Sequence, residues 1–292
     1  MANIVITGAA GGFGFLTVKR LLADGHKVVG SARDISGRNK AKAAELEKLG
    51  AKVVEMDVAS DSSVAGGIEE ARTAFGGIDV LINNAGVGAW GPVESFTSDD
   101  MKRIFDVNLF GVQRLNRAVL PMMREEAEGL IVIISSTLGR VTTPFYGPYN
   151  ASKWALEALT ENYRTELSQF GIEFCLVEPG GYLTTFIDNV VRPTDTDQAR
   201  AKAYGPMKEM AEGFRQNFQK AMATNTSQDP QNVAAAIGKL IATPYGTRPF
   251  RTIVDNMGMA GPIGEYNNAL GNLTEALYGK FGIAHLLRVK VD

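Results

Sequence analysis

A doubly wound α/β fold, a Rossmann-type parallel sheet flanked by helices, is what the residue pattern predicts, and three observations predict it. Short apolar runs recur between longer amphipathic stretches along the 292 residues, those runs are apolar on both faces, and chemically useful side chains stand just beyond them. Strands apolar on both faces need helices on both sides, joined by right-handed crossovers, and a site forms outside their carboxyl ends.

The first run, Asn3 to Thr7, leads into Gly8-Ala9-Ala10-Gly11-Gly12-Phe13-Gly14 and then an amphipathic stretch from Phe15 to Leu22. Strand, glycine turn and helix in that order suit a dinucleotide, because glycines admit a pyrophosphate close to the backbone and a helix N-terminus offers unpaired N–H groups to it. Further strands are expected at Lys27 to Ser31, Lys52 to Met56, Ile78 to Asn83, Leu130 to Ser135 and Ile172 to Glu178. Gly8, Asn84, Ser136 and Pro179 fall just after such runs and so should meet at one sheet edge. Beyond Thr185 the alternation breaks. Residues 186–225 mix helical stretches with Tyr204, Met207, Met210, Phe214 and Phe218, an apolar face suited to packing on the core or to a substrate lid. Asp229-Pro230-Gln231-Asn232 opens a helix over Val233 to Ala242, Arg251 to Val254 reads as the last strand, and residues 261–292 form a C-terminal extension.

Composition is that of a globular protein, 45% hydrophobic and 21% charged, and no proline- or serine-rich linker divides it, so one domain over 1–292 is expected. A formal charge of −2 offers no basic field for nucleic acid. No apolar run approaches the ~20 residues that span a bilayer, and no charged and apolar leader precedes the first strand, so no membrane partner and a cytoplasmic location are expected. The lone cysteine, Cys175 in Phe174-Cys175-Leu176-Val177, reads as a buried strand residue. With His26 and His285 the only histidines, a zinc site lacks candidate ligands, and no metal is expected.

Tyr149 and Lys153, in Gly147-Pro148-Tyr149-Asn150-Ala151-Ser152-Lys153, stand one helical turn apart on one face. A positive charge nearby favours the phenolate, so Lys153 is expected to pull the phenol down from its ordinary value of about 10 towards the working pH, as a general acid/base requires.

With Tyr149, Lys153 and the glycine turn together, the chain resembles the short-chain dehydrogenase/reductase family, in its compact single-domain branch, from Asn3 to about Thr185. Thr7 to Gly14 resembles the family's cofactor turn, which implies contacts from Gly8, Gly12, Phe13 and Gly14. Asn83-Asn84-Ala85-Gly86 is similar to its Asn-Asn-Ala-Gly motif, giving Asn84, Ala85 and Gly86 to the cofactor. Asn108, in Val107-Asn108-Leu109-Phe110-Gly111, sits where the family has its catalytic asparagine, and Ser136 where it has its serine. Pro179-Gly180-Gly181-Tyr182-Leu183-Thr184 resembles the loop against nicotinamide, implying Pro179, Gly180 and Thr184. Tyr146 and Ser135 are decoys: only Tyr149 has a lysine four residues on, and the family's serine is the second of its pair.

The resemblance implies an enzyme that moves hydride between nicotinamide and a carbonyl carbon. Tyr149 would donate the proton, Ser136 polarise the oxygen, Lys153 lower the tyrosine and bond the nicotinamide ribose, and Asn108 anchor a water. Ala32 stands where NAD-specific relatives carry an acid, and Arg33 beside it has the planar fork that a 2′-phosphate suits, so NADP(H) is preferred with NAD(H) the alternative. Asp57 and Val58 resemble the adenine-contacting pair. The pocket wall is expected from Val87 to Trp90, Thr137 to Tyr146 and Gly181 to Phe186, pointing to a small hydrophobic ketone, aldehyde or alcohol. Asn84-Ala85-Gly86-Val87-Gly88, Val119-Leu120-Pro121 and Val177-Glu178-Pro179-Gly180 are similar to the steroid- and retinol-type carbonyl reductase subgroup. The alternative from another class is a catalytically idle NADP(H)-binding redox sensor. Relatives pair through helices around Met101 to Arg124 and Ser152 to Phe170, which implies a homodimer, with a tetramer the larger alternative.

Overall fold

The computed structural model describes residues 1–291, and at Asp188 and Lys208 the backbone alone. Strands β1 (Asn3–Thr7), β2 (Lys27–Ala32), β3 (Lys52–Glu55), β4 (Val80–Asn83), β5 (Gly129–Ile134), β6 (Ile172–Pro179) and β7 (Arg251–Val254) form one parallel sheet in the order β3-β2-β1-β4-β5-β6-β7. The order reverses between β1 and β4, the switch point at which open sheets of this kind bind ligands. The helices are α1 (Gly12–Ala23), α2 (Lys40–Lys48), α3 (Asp61–Phe75), α4 (Ser98–Phe105), α5 (Gly111–Glu125), α6 (Gly147–Leu167), α7 (Gln198–Ala203), α8 (Gly205–Thr224), α9 (Gln231–Ala242) and α10 (Ala260–Lys280).

Alternation along the strands divides the core into two layers. Ile4, Ile6, Val28, Ile82, Val132 and Val177 pack with Val18 and Leu21 of α1 and Ile237 of α9. Val5, Val29, Val54, Leu81, Ile131 and Leu176 face the other way, against Ile68 of α3, Leu115 and Val119 of α5 and Leu156 of α6. Cys175 lies in the first layer, and burial pushes its thiol up to about 12, as an unreactive strand residue requires. Among the described residues no helix is long and apolar enough to cross a membrane.

Three elements depart from the expected pattern. Helix α1 starts at Gly12, ahead of Phe15, so the glycine turn already contains the first helical turn. The stretch around Met101 to Arg124 is interrupted: between α4 and α5 the five residues Asp106–Phe110 form a π-helical turn, closed by the Gly111 N–H donating to Asp106 O. One extra residue in the ladder re-aims the side chains there, and Asn108 is among them. The extension beyond residue 261 is mostly helix α10, whose Ile263 is buried while Leu273 and Leu277 are exposed; residue 292 lies outside the described residues.

Gly171 ends the 3₁₀ turn Ser168–Phe170 after α6 and leads into β6 with φ of +71°, and a Cβ there would collide with Ala127 O. Gly171→Ala is therefore expected to lower the unfolding free energy by about 2–4 kcal/mol, read as a lower urea midpoint at unchanged slope.

Candidate active site

Two side chains stitch the switch point together. Thr7, at the end of β1, accepts at Oγ1 from the N–H groups of Asn84 (3.1 Å) and Ala85 (3.0 Å). Asn84 Nδ2 returns two bonds, to Thr7 O at 2.8 Å and Gly8 O at 3.3 Å. The turn between them needs its glycines: Gly8 and Gly12 have φ of +67° and +51°, and a Cβ at Gly14 would collide with Gly8 O. Gly11 caps α1 without a side-chain bond, so the helix presents bare backbone N–H at its start.

A cavity of about 730 Å³ opens from this turn along the carboxyl edge of the sheet. Gly8, Gly12, Phe13, Arg33, Asn84, Ala85, Gly86, Ser136, Tyr149, Lys153, Pro179, Gly180 and Thr184 all line it. Asp57 and Val58 line an adjoining smaller cleft together with Arg33, whose guanidinium lies 3.9 Å from the Asp57 carboxylate. Gly14 and Asn108 support the wall from behind. Asn108 Oδ1 accepts from Val87 N at 2.8 Å, and its Nδ2 donates to Val87 O at 2.9 Å and Ser152 Oγ at 3.0 Å. Its amide is thus spent on holding the loop after β4 to α6.

The electrostatics of the tyrosine run opposite to expectation. Burial pushes the Tyr149 phenol up to about 12, with a Ser136 hydrogen bond pulling the other way. Burial also brings the Lys153 ammonium down to about 8, partly resisted by the charge of Glu157. Lys153 Nζ donates to Ile134 O at 2.8 Å and lies 5.8 Å from the Tyr149 ring centre. A lysine tied to a strand carbonyl and itself desolvated does not offset the burial of the phenol beside it. Ser136 Oγ accepts from Leu138 N at 3.1 Å and faces Pro179 O at 3.5 Å, which joins the serine loop to the loop after β6.

Beneath the lysine is a buried ion cluster. Arg140 binds Glu157, one turn beyond Lys153 on α6, and reaches Glu178 at 3.2 Å. Arg251 of β7 lies 3.3 Å from both carboxylates and also binds Glu161. Asn267 of α10 donates to Glu178 at 2.7 Å, so the C-terminal extension braces the strand that ends in Pro179.

The short chain dehydrogenase family profile matches residues 2–195. Over 253 residues, 86% of this chain and 87% of the relative, the sequence is 34% identical to a 3-ketodihydrosphingosine reductase of Bacteroides thetaiotaomicron. The chain belongs to the short-chain dehydrogenase/reductase family. It is also 36% identical to bovine retinol dehydrogenase 8, with 82% and 78% of the two chains covered. A short-chain dehydrogenase/reductase of Burkholderia phymatum, solved in complex with NAD, superposes with a TM-score of 0.72 at 26% identity over 86% of this chain and 88% of that one. The oxidoreductase relatives include retinol-type members, in keeping with the subgroup resemblance.

A nicotinamide dinucleotide fits the residues this dehydrogenase/reductase presents: a glycine cradle that any Cβ would fill, an uncapped helix start behind it, and cationic side chains at the cavity's β2 end. Three lining residues there, Arg38, Asn39 and Lys42, escape a reading of the sequence confined to the end of β2. Asn39 Nδ2 donates to Arg33 O at 2.6 Å and so folds the segment back over the turn. The spacing of Arg38 and Lys42, four apart at a helix start, was the available signal. Met257 and Met259 also line the cavity, set there by the Asp255 carboxylate, which accepts from their N–H groups at 3.0 and 2.8 Å.

Asn108→Ala removes three bonds and leaves Val87 and Ser152 with lost partners. It is expected to lower the unfolding free energy by about 2–4 kcal/mol, measured in chemical denaturation.

Proposed function

We propose that this enzyme interconverts a hydrophobic ketone or aldehyde and its alcohol with NADP(H), with Tyr149 as the acid and base. The observation that carries this reading is one cavity holding Tyr149, Ser136 and Lys153 together with the glycine turn. When bound, the dinucleotide supplies the hydride for reduction. Tyr149 gives its proton to the carbonyl oxygen, and a phenol raised to about 12 stays protonated and ready to do so across the ordinary pH range. Ser136 holds the same oxygen, and the Lys153 charge stabilises the phenolate as the proton leaves. Asn108 acts as a positioning residue through Val87 and Ser152.

The preference for NADP(H) is supported by Arg33, Arg38 and Lys42 at the β2 end of the cavity and by Ala32, which offers no acid to a ribose hydroxyl. The apolar body of the substrate is suggested by Trp90, Phe186, Phe214 and Met222 on the wall, and by the lipid-like compounds named for the relatives. Helix α8 supplies Phe214, Phe218 and Met222, as a substrate lid over 186–225 would. We also propose one domain over the chain, a cytoplasmic home and a homodimer through α5 and α6. Phe110, Trp154 and Phe170, on or beside those helices, are 49%, 37% and 49% exposed and give such an association apolar area to cover.

NADPH oxidation by the purified enzyme with a panel of hydrophobic ketones and aldehydes tests the reading. Tyr149→Phe should lower kcat by roughly 10²–10⁴-fold, and retention of most activity would sink the assignment. The kcat/KM for reduction should hold at neutral pH and decline as pH rises through about 8, where Lys153 loses its charge. Arg33→Ser should raise KM for NADPH about tenfold or more while leaving that for NADH nearly unchanged; equal effects on both would refute the 2′-phosphate role.

A further inference from the structure

We propose that the far end of the cavity is an anion subsite formed by Arg192 and Arg215, and that the substrate is an amphiphile whose apolar body ends in a carboxylate-type oxyanion. This deepens the carbonyl–alcohol reading above and rests on it for the word substrate.

From Tyr149 a ladder of rings leads away from the reacting end. Tyr146 lies 6.3 Å from Tyr149, Trp90 4.7 Å from Tyr146, and Phe214 stacks on Trp90 at 6.0 Å. Arg215 follows Phe214 on α8, and both it and Arg192 line the cavity beside these rings. Their charges also reach Tyr146, where they act against the upward push of burial on that phenol.

Arg215 is aimed by neighbours on its own helix: its Nε donates to Glu212 at 2.9 Å and Nη1 to Gln219 at 3.0 Å, with a second contact from Nη2 to Glu212. Glu212 stays ionised, held down at about 2 chiefly by Arg215. One carboxylate faces two guanidiniums, and Arg192 forms no ion pair among the described residues. Among the described side chains a net positive charge is therefore left over. Among the described lining residues the acid is Asp255, which stands by Gly180 and is engaged with Met257 and Met259.

A cavity for a wholly apolar molecule gains nothing from this arrangement, because covering a guanidinium with hydrocarbon removes its hydration without return. An oxyanion at the end of the molecule restores that loss through charge-assisted bonds to a planar fork. A cationic head group would meet repulsion at the same place.

Titration calorimetry of the full-length protein with decanoic acid, decanol and decylamine reads the subsite without requiring turnover. Decanoate should bind at least tenfold more tightly than decanol at low salt, with decylamine weakest, and added salt should narrow the gap. Arg192→Gln should shrink the decanoate-to-decanol ratio, Arg192→Gln combined with Arg215→Gln should bring it near one, and Arg192→Glu should turn the preference towards the amine. Arg192 is exposed, so its substitutions leave the packing intact. Failure of decanoate to bind, equal binding of acid and alcohol, or a ratio that survives the double substitution overturns the proposal. Preferred decanoate binding without reduction of any carbonyl would refute the reductase reading and leave the subsite standing. Carbonyl reduction without that preference would do the reverse.

Discussion

The clamp between Thr7 and Asn84 is the constraint on which the rest of the site depends. It joins the carboxyl ends of β1 and β4 where the sheet changes direction, using one hydroxyl and one amide for four hydrogen bonds. In a parallel sheet these strand ends have no hairpin to tie them, and a gap at the switch point would leave backbone groups unpaired. Once clamped, the Gly8 turn has a fixed origin, α1 a fixed direction, and the loop after β4 a fixed start. Asn108 then pins the same loop from the other side through Val87, and carries the connection on to α6 through Ser152. Tyr149 and Lys153 ride on α6, so two asparagines tie their place to the glycine turn in addition to the apolar packing of Leu156.

Buried charge does a second positioning job. Arg140, Glu157 and Glu178 are buried and Arg251 largely so, and each ion costs several kcal/mol to desolvate, so the cluster is weak evidence for net stability. Its geometry is more telling. It ties α6, the loop after β5, β6 and β7 to one another directly under Lys153 and one residue before Pro179, and through Asn267 it brings in α10. Loss of one partner would leave buried charge less fully compensated, so the cluster couples these elements to one another. The C-terminal extension thereby braces the strand that ends in Pro179, a residue that lines the cavity.

Much of this was legible in the sequence, for identifiable reasons. Strand and helix alternation survives because strands buried on both faces must be apolar throughout, and the glycine turn because φ at Gly8 and Gly12 favours that residue. Tyr149 and Lys153 are visible because helical spacing is local. The direction of the tyrosine's shift was not, because it depends on how completely the cavity walls desolvate the phenol, which spacing does not report. The π-helical turn at Asn108 was hidden for a related reason: its extra residue is stabilised by tertiary bonds to Val87 and Ser152, not by a local signal. Nothing in the sequence marks Arg192 and Arg215 as cavity residues, and only the packing of α8 and the segment before it brings them onto the wall with Trp90 and Phe214.

That distribution of cations gives the cavity a positive lining that the formal charge of −2 conceals. Arg33, Arg38 and Lys42 stand at one end of the cavity, Arg192 and Arg215 at the other, and Lys153 between them. With low-dielectric walls of Trp, Phe and Met, such a cleft focuses a positive field that draws anions in from solvent and weakens with salt. In the proposed reaction the same field would favour charge that develops on the substrate oxygen and on Tyr149 as the proton leaves, although burial of the resting phenol opposes it. Under the proposed reaction, a site that holds Tyr149 protonated with Lys153 beside it is suited to donating a proton into an anionic transition state. On that reading its resting electrostatics lean towards carbonyl reduction, with the alcohol direction left to rely on the Lys153 charge to draw the proton off.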